Sequence, residues 1–388
     1  MVSYVSANLV YPVATPPLKN GVIALKNDGT IERVLAAEEA KAQGIEHIQH
    51  YEGILVPGFV NTHCHLELSH LVGQIPQHTG LIGFIKKILA LRQQPEAEII
   101  SAMQKADAQM YANGIVAVGD ISNELVSKQV KQNSQIYYHT FVELFGFNKP
   151  AAPIIAKGLQ LKEDFYPLKA SLAPHAPYSV ASSLLTAISI HTQSDDILTI
   201  HNQETVAENE FFEKGTGAFV DFLGAVNLLF DEPILNQTAI HHALPKLPKK
   251  VNTLLVHNTF TSAADIAFAT KTHPKLFWCL CPNANLYIEN NLPANHLLQH
   301  ENINLTLGTD SLASNHQLCI LSEIQTLQAE RNVSFEQALT WATLNGAKFL
   351  GIDAQFGSFE AGKKPGIIWL KTEDQGNKGL KTSIKRLF

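Results

Sequence analysis

Cysteine is scarce: Cys64, Cys279, Cys281 and Cys319 are the only four in 388 residues, and their spacing suggests no pairing. A disulfide-built scaffold is therefore excluded, and a reducing compartment is favoured. Cys279 and Cys281 form a CxC inside an apolar run, which reads as plain burial. Charge is also thin, at 16% of residues with a net charge of −6, so the chain lacks the basic surface that nucleic acid or an anionic membrane would require. No apolar run approaches the roughly 18 residues of a membrane span. The start M1-V-S-Y-V-S-A-N-L-V10 lacks the basic lead of a signal peptide. No internal repeat or low-complexity tract is present. These absences leave a soluble cytoplasmic enzyme as the expectation.

Apolar residues make up 45% of the chain, ample for a large core, and histidine is plentiful at 17. Residues 1 to about 56 read as short strands, with V22-I-A-L25 and T30-I-E-R-V-L35 flanking the hairpin signal N27-D-G29. From residue 59 apolar strands alternate with amphipathic stretches. The strand candidates are F59–T62, I115–G119, I136–V142, L168–A173, I197–I200, T253–V256, L276–L280 and N304–L307. Eight strands with intervening helices meet the requirement of a (β/α)8 TIM barrel. The tail returns to strand-like sequence at I367-I-W-L370. Residues 1–56 and 355–388 are expected to form one small composite β-sandwich from both chain ends, and residues 57–354 the barrel. The stretch 205–250 is the longest connection and is expected to place extra helices over the barrel mouth.

Catalytic groups of such barrels project from the C-terminal ends of the strands. Reading just past each candidate strand gives His63 and His65, then Asp120, Glu143, His175, His201 with Glu204, His257, the segment C281-P-N-A-N285, and finally Asp310. Histidine recurs there far more often than its overall frequency allows. His63, His65, His201 and Asp310 offer three nitrogens and one oxygen to a divalent cation, leaving a position for water. Glu204, beside His201 yet not obliged to coordinate, suits a general acid/base. His257 suits the holding of that water. Each has a plainer reading: Glu204 as a carboxylate on helix-start amides, His257 and His175 as buried hydrogen-bonded histidines, Asp120 and Glu143 as barrel-mouth structure. His139, His191, His241, His242 and His316 default to packing or surface.

With these residues in view the chain resembles the amidohydrolase superfamily, in its cytosine deaminase-like branch of metal-dependent deaminases and chlorohydrolases. The matching segments run nearly end to end: V56-P-G-F-V-N-T-H-C-H65, A173-P-H-A-P-Y178, H201-N-Q-E204, H257-N258, C281-P-N-A-N285, G308-T-D-S-L-A-S-N315, A342-T-L-N-G-A347 and G357-S-F-E-A-G-K363. The resemblance implies one divalent ion on His63, His65, His201 and Asp310, with zinc favoured and iron or manganese as alternatives. It gives proton shuttling to Glu204 and water activation to His257 with Asp310, and puts His175 in the place of a substrate-contacting histidine. Strand 4 runs into Ala173, Pro174 and His175 without the lysine that bridges two metals in binuclear relatives, which favours a single ion. The family's tail motif GxxxxGKxADL is incomplete here, because G357-S-F-E-A-G-K-K-P-G366 lacks the aspartate.

The reaction implied is hydrolytic release of ammonia from an amino-substituted heterocycle, a hydrolase acting on a C–N bond of a cyclic amidine. H65-L-E-L-S69 and E208-N-E-F-F-E-K-G-T-G-A-F219 look most like aminodeoxyfutalosine deaminases of an alternative menaquinone route. They also look like deaminases acting on S-adenosylhomocysteine or methylthioadenosine. An aminopurine nucleoside is thus the expected small-molecule partner, with aminodeoxyfutalosine leading. Glu67, two residues past the HxH, is expected either to contact a ribose hydroxyl or polar group of the substrate or to serve a structural role, and Glu143 is an expected substrate contact. Alternatives are a guanine-, pterin- or cytosine-type deaminase, a triazine-type chlorohydrolase, an amide-bond hydrolase, and a non-catalytic scaffold. A homodimer is expected from the resemblance alone.

Overall fold

The computed structural model describes residues 2–226, 228, 236–374 and 380–388. The chain divides into two compact units, one of residues 1–61, 108–117 and 319–388, the other of residues 62–107 and 118–318. The first unit thus takes in more than the expected 1–56 and 355–388.

In the first unit β1 (Val2–Val10), β2 (Leu18–Lys19), β3 (Val22–Lys26), β4 (Ile31–Leu35) and β5 (Ile48–Pro57) join two strands from the far end of the chain. Together they form one seven-stranded sheet. The Asn27-Asp28-Gly29 turn closes β3 onto β4 as expected, with Gly29 at φ +83° and Asp28 Oδ1 accepting the Thr30 amide at 3.1 Å. Period-two alternation sorts the side chains of these strands. Val5, Ile23, Leu25 and Leu55 share one core, while Val22, Leu35 and Ala40 pack as a second cluster.

The second unit holds most of the remaining strands, with residues 59–61 and 115–117 of two of them counted in the first. The eight expected strands all form: β6 (Phe59–Cys64), β7 (Ile115–Ser122), β8 (Tyr137–Leu144), β9 (Lys169–Pro174), β10 (Leu198–Asn202), β11 (Thr253–His257), β12 (Leu276–Leu280) and β13 (Asn304–Leu307). They lie in two four-stranded sheets, ordered β6-β7-β8-β9 and β10-β11-β12-β13. The registered pairs β8/β9, β10/β11, β11/β12 and β12/β13 are parallel. Every residue of β6, β7, β10, β11 and β12 is buried, as expected of strands covered on both faces. The fold is TIM-barrel-like α/β. At the sheet margins a parallel bridge joins Cys64 to Asp310, and the His201 amide donates to the His175 carbonyl at 2.9 Å. The 205–250 connection carries helices Val206–Lys214, Ala218–Ala225 and Ala239–Ala243; residues 227 and 229–235 lie outside the described set. Phe219, from this connection, packs on Tyr178 with ring centroids 4.4 Å apart. Cys279 and Cys281 are buried, with their Sγ atoms 3.8 Å apart, consistent with packing.

The C-terminal strands β14 (Ile367–Asp374) and β15 (Leu380–Arg386) complete the first unit's sheet, ordered β15-β14-β5-β1-β3-β4 with β2 on β1. This sheet draws its strands from both ends of the chain. Among the described residues, no helix is long and apolar enough to cross a membrane.

Gly53 in β5 has φ +126°, and a Cβ there would run into the Leu370 carbonyl oxygen. Both the backbone conformation and the close approach require glycine. Gly53→Ala is expected to destabilise the protein by about 1–3 kcal/mol, read as a lower thermal midpoint by circular dichroism. An unchanged midpoint would show that the sheet adjusts freely at this position.

Candidate metal and catalytic site

The apolar strands of the second unit end in polar residues that converge. His63 is the penultimate residue of β6 and His65 follows the strand; their Nε2 atoms lie 3.2 Å apart. His201, in β10, brings its Nε2 to 3.3 Å from that of His65. Asp310, three residues beyond β13, places Oδ1 3.6 Å from His63 Nε2 and 3.5 Å from His65 Nε2. Gly308 makes this approach possible, since a Cβ there would lie 2.8 Å from both Cys279 Sγ and His63 Cβ.

These separations have a physical meaning. The His201 Nδ1 is 2.8 Å from the His175 carbonyl oxygen. A carbonyl only accepts, so Nδ1 carries the proton and Nε2 turns a lone pair toward His65. Burial depresses the basicity of these rings: His65 falls to about 3, through burial and then His63, and His201 to about 4, through burial and then His65. The rings are therefore uncharged near neutral pH, and each has one nitrogen lone pair to offer a shared ion. Zinc–nitrogen bonds of about 2.0–2.1 Å in a tetrahedron put neighbouring donors roughly 3.3 Å apart, and the observed spacing fits. The three imidazoles and Asp310 can hold a divalent cation. Burial raises the Asp310 carboxyl, but the hydrogen bond from His63 and the nearby His65 and His257 outweigh it and hold the group well below the usual carboxylate range. Ser314 donates to Asp310 Oδ2 at 2.6 Å and so leaves Oδ1 for the cluster.

Glu204 and His257 face each other beside this set, with Oε2 and Nε2 3.6 Å apart and both side chains buried. Burial, followed by repulsion from Asp310 and Glu208, pushes the Glu204 carboxyl well above its ordinary range. His257 is kept neutral chiefly by burial. The Asn285 Nδ2 donates to His257 Nδ1 at 3.2 Å, which leaves Nε2 as the protonated nitrogen facing Glu204. The backbone at His257 and Asp310 is held at φ +72° and +57°, conformations that non-glycine residues adopt at a cost and that cluster at functional sites.

A cavity of about 140 Å³ opens onto these groups, lined also by His175, Glu143, Asn123, Tyr178 and the apolar helix Gly80–Leu91. His175 Nδ1 lies 2.6 Å from Ser179 Oγ, and its ring is 4.9 Å from that of His201. Glu143, at the end of β8, takes a hydrogen bond from Asn123 Nδ2 at 3.0 Å, and its Oε1 is 3.8 Å from His201 Nδ1. Burial raises its carboxyl to about 8.

Two expected residues lie elsewhere. Glu67 is not among the residues lining the cavity. β6 stops at Cys64 and the chain enters a 3-10 turn, Leu66–Leu71, so the alternation that aligned His63 with His65 does not extend to residue 67. The buried Glu67 carboxylate instead accepts the amides of Asn123 at 3.1 Å and Glu124 at 3.4 Å. Asp120 is likewise turned inward. It accepts the Leu66 amide at 2.8 Å and pairs with the fully buried Lys131 at 2.7 Å. Lys131 also donates to Ser122 at 2.9 Å and Thr140 at 3.0 Å. This pair thus anchors the turn immediately after His65. The sequence did not single out Asn123, Arg92 or Lys131. Lys131 lies three residues from Lys128 in a polar helix, and nothing in the pattern marks it as the buried one. Of the other histidines, His139 is buried in β8 and bonds Ser171 at 2.8 Å, a packing role.

A fold with parallel sheets, polar residues gathered at their strand ends and a three-histidine, one-aspartate donor set defines a barrel-like metallohydrolase class. Residues 54–386 match the amidohydrolase family, and the chain belongs to it. It is 26% identical over 333 residues to an adenosine deaminase of Helicobacter pylori, covering 84% of this chain and 79% of that one. It is 27% identical over 343 residues to a 5-methylthioadenosine/S-adenosylhomocysteine deaminase of Teredinibacter turnerae, covering 83% and 72%. The fold superposes on the crystal structure of Helicobacter pylori aminofutalosine deaminase with a TM-score of 0.81 at 23% identity, over 96% of this chain and 92% of the other.

The buried ion pair gives a first test at this site. Lys131→Met leaves a buried carboxylate unpaired and is expected to destabilise the protein by about 3–5 kcal/mol. Adding Asp120→Leu should restore part of that, as measured by urea denaturation.

A second test uses pH. Burial raises Glu67 from 4.5 to about 7. A carboxyl raised on folding contributes stability that is full below its unfolded pKa and is lost as pH rises through the folded one. The thermal midpoint should therefore decline between about pH 4.5 and pH 7 partly through Glu67, and Glu67→Gln should flatten that decline. Parallel curves for the two proteins would exclude this account.

Proposed function

We propose that this chain is a metal-dependent hydrolase that releases ammonia from adenosine-type nucleosides. The reading is carried by one arrangement: the donor set His63, His65, His201 and Asp310, flanked by a buried, non-coordinating Glu204 opposite His257. In this proposal the two four-stranded sheets close into a (β/α)8 barrel, supported by the Cys64–Asp310 bridge and the His201–His175 backbone bond. Residues 57–354 form the hydrolase domain, and residues 1–56 with 355–388 the composite β domain.

Zinc is the proposed ion, held by His63, His65, His201 and Asp310. Such an ion, when bound, acts as a Lewis acid and brings the pKa of a water into the neutral range. Glu204 moves one proton from the attacking water to the ring nitrogen beside the amine-bearing carbon. Its burial suits this work, because a carboxyl of raised pKa both takes and returns a proton near neutral pH. His257 Nε2–H orients the water's oxygen. The water's oxygen bonds to the amine-bearing carbon, its remaining proton passes to the amine, and the C–N bond breaks to release ammonia while the ring carbon keeps the oxygen as a carbonyl. His175 and Glu143, on the cavity wall, contact the substrate, and Glu67 acts on it only through the backbone of Asn123.

The names of the relatives support a nucleoside rather than a bare base, and so does the shape of the site. The 140 Å³ cavity shares Arg92, Asn123, Glu143 and Phe145 with a neighbouring one of about 490 Å³, leaving room beyond the ring for a sugar and its substituent. Aminodeoxyfutalosine is the leading substrate, followed by methylthioadenosine and S-adenosylhomocysteine.

The test is a coupled ammonia assay over adenosine, methylthioadenosine, S-adenosylhomocysteine, aminodeoxyfutalosine, guanine and cytosine. Turnover of the nucleosides is expected, and turnover of bases alone would overturn the nucleoside reading. Glu204→Gln should lower kcat by roughly 10²–10⁴-fold with full metal content by elemental analysis. Undiminished turnover in that variant would remove Glu204 from the mechanism.

A further inference from the structure

Glu204 and His257 face each other where β10 and β11 end, so the sheet alone does not fix their approach. The ladder between these strands closes with Asn202 opposite His257. Past it, the Asn258 amide donates to the Asn202 carbonyl and the Phe260 amide to the Gln203 carbonyl, each at 3.0 Å. The backbone there bends into left-handed conformations, at φ +46° for Gln203, +72° for His257 and +56° for Asn258. Non-glycine residues keep such conformations where the surroundings over-determine them.

Gln203 supplies such surroundings. It is fully buried and immediately precedes Glu204. Its Nε2 donates to Asp265 Oδ2 and to Asn209 Oδ1, each at 3.1 Å. Its Oε1 accepts from Thr261 Oγ1 at 2.8 Å and from Asn202 Nδ2 at 3.3 Å. A carboxylate only accepts, so Asp265 settles which end of the amide is nitrogen. Two donor and two acceptor bonds use the full capacity of a glutamine side chain. Thr261 belongs to the segment after His257, and Asp265 stands in the first turn of helix Ala263–Thr272, where it closes a capping box with Ser262. Asn209 lies in helix Val206–Lys214 and itself donates to the Phe260 carbonyl at 3.1 Å. One amide thus joins the Glu204 loop to the segment that follows His257 and to two helices. Any buried amide needs hydrogen-bond partners, but that need alone does not require them to come from both loops.

We propose that Gln203 is a positioning residue: its side chain ties the loop that carries Glu204 to the segment after His257 and so sets how closely the two groups approach. This rests on the deaminase reading, in which Glu204 moves the proton, and deepens it by naming what holds Glu204 in place. Gln203 acts through the backbone and touches no reacting atom.

The test is a double-mutant cycle read in the kcat of metal-loaded protein on adenosine-type nucleosides. Gln203→Met keeps the side chain's length and removes all four bonds. Its kcat should fall by roughly 10²-fold, the cost of a misplaced catalytic group, with KM and bound metal unchanged. Thr261→Val removes one bond at constant shape. It should cost roughly 3–10-fold in kcat, and nothing further once Gln203→Met is in place. Amide hydrogen exchange gives a readout independent of turnover: peptides covering residues 202–205 and 257–261 should exchange faster together in both variants, while β6 and β13 keep their wild-type protection. If the wild-type protein releases no ammonia from any nucleoside yet the two segments loosen together, the deaminase reading fails and the tie made by Gln203 stands. Should Gln203→Met not fold, Thr261→Val carries the test, and a loss in kcat at unchanged KM supports the assignment. Full turnover by either folded variant, or a loss accompanied by raised KM or lost metal, overturns it.

Discussion

Three imidazole nitrogens and one carboxylate oxygen directed at a common point form the constraint on which the rest of the second unit depends. Nε2 lone pairs 3.2 and 3.3 Å apart repel unless a proton or a cation lies between them. The surroundings work to keep them neutral: burial lowers each ring's basicity, and the His175 carbonyl fixes the His201 tautomer. The neighbouring strand ends comply with this geometry even at the expense of the backbone, since His257 and Asp310 adopt left-handed conformations.

Around this cluster the buried carboxylates divide by their partners. Asp310 lies among histidines and is held ionised. Asp120 is paired with Lys131 and serves the backbone of the turn after His65. Among the described residues no lysine or arginine pairs with Glu204, and burial raises its pKa, which fits a group that must gain and lose a proton. Glu67 and Glu143 stand between these extremes, raised to about 7 and about 8 by burial while accepting hydrogen bonds from Asn123. Similar side chains thus receive different work from their environment. The cavity wall makes a further distinction, with an apolar helix on one side and a polar run from His201 through Glu143 and Asn123 to Arg92 on the other.

Much of the barrel-like pattern was legible. Strands buried on both faces read as continuous apolar runs, and each of the eight expected runs became a strand. The hairpin at Asn27-Asp28-Gly29 was legible because its turn demands positive φ at glycine. The convergence of His63, His65, His201 and Asp310 was legible because each stands within three residues of a strand's C-terminal end, and those ends of parallel sheets gather on one side. Glu67 marks where this logic stopped. Its expected orientation extended a strand that ends at Cys64, and the 3-10 turn that follows points its carboxylate at Asn123 and Glu124.

By itself the sequence determined which residues stand at strand ends, because apolar runs and their interruptions are local properties of the chain. It also determined the donor types, three nitrogens and one oxygen, and therefore the class of chemistry. Only the tertiary structure decided which lysine is buried against Asp120, which asparagine links Glu143 to Arg92, and which side of the turn Glu67 faces. Those depend on contacts such as Lys131 with Asp120 across 11 positions and Arg92 with Asn123 across 31. Partners of that kind leave no periodicity in the chain, since each is chosen by the packing of separate elements rather than by its neighbours in sequence.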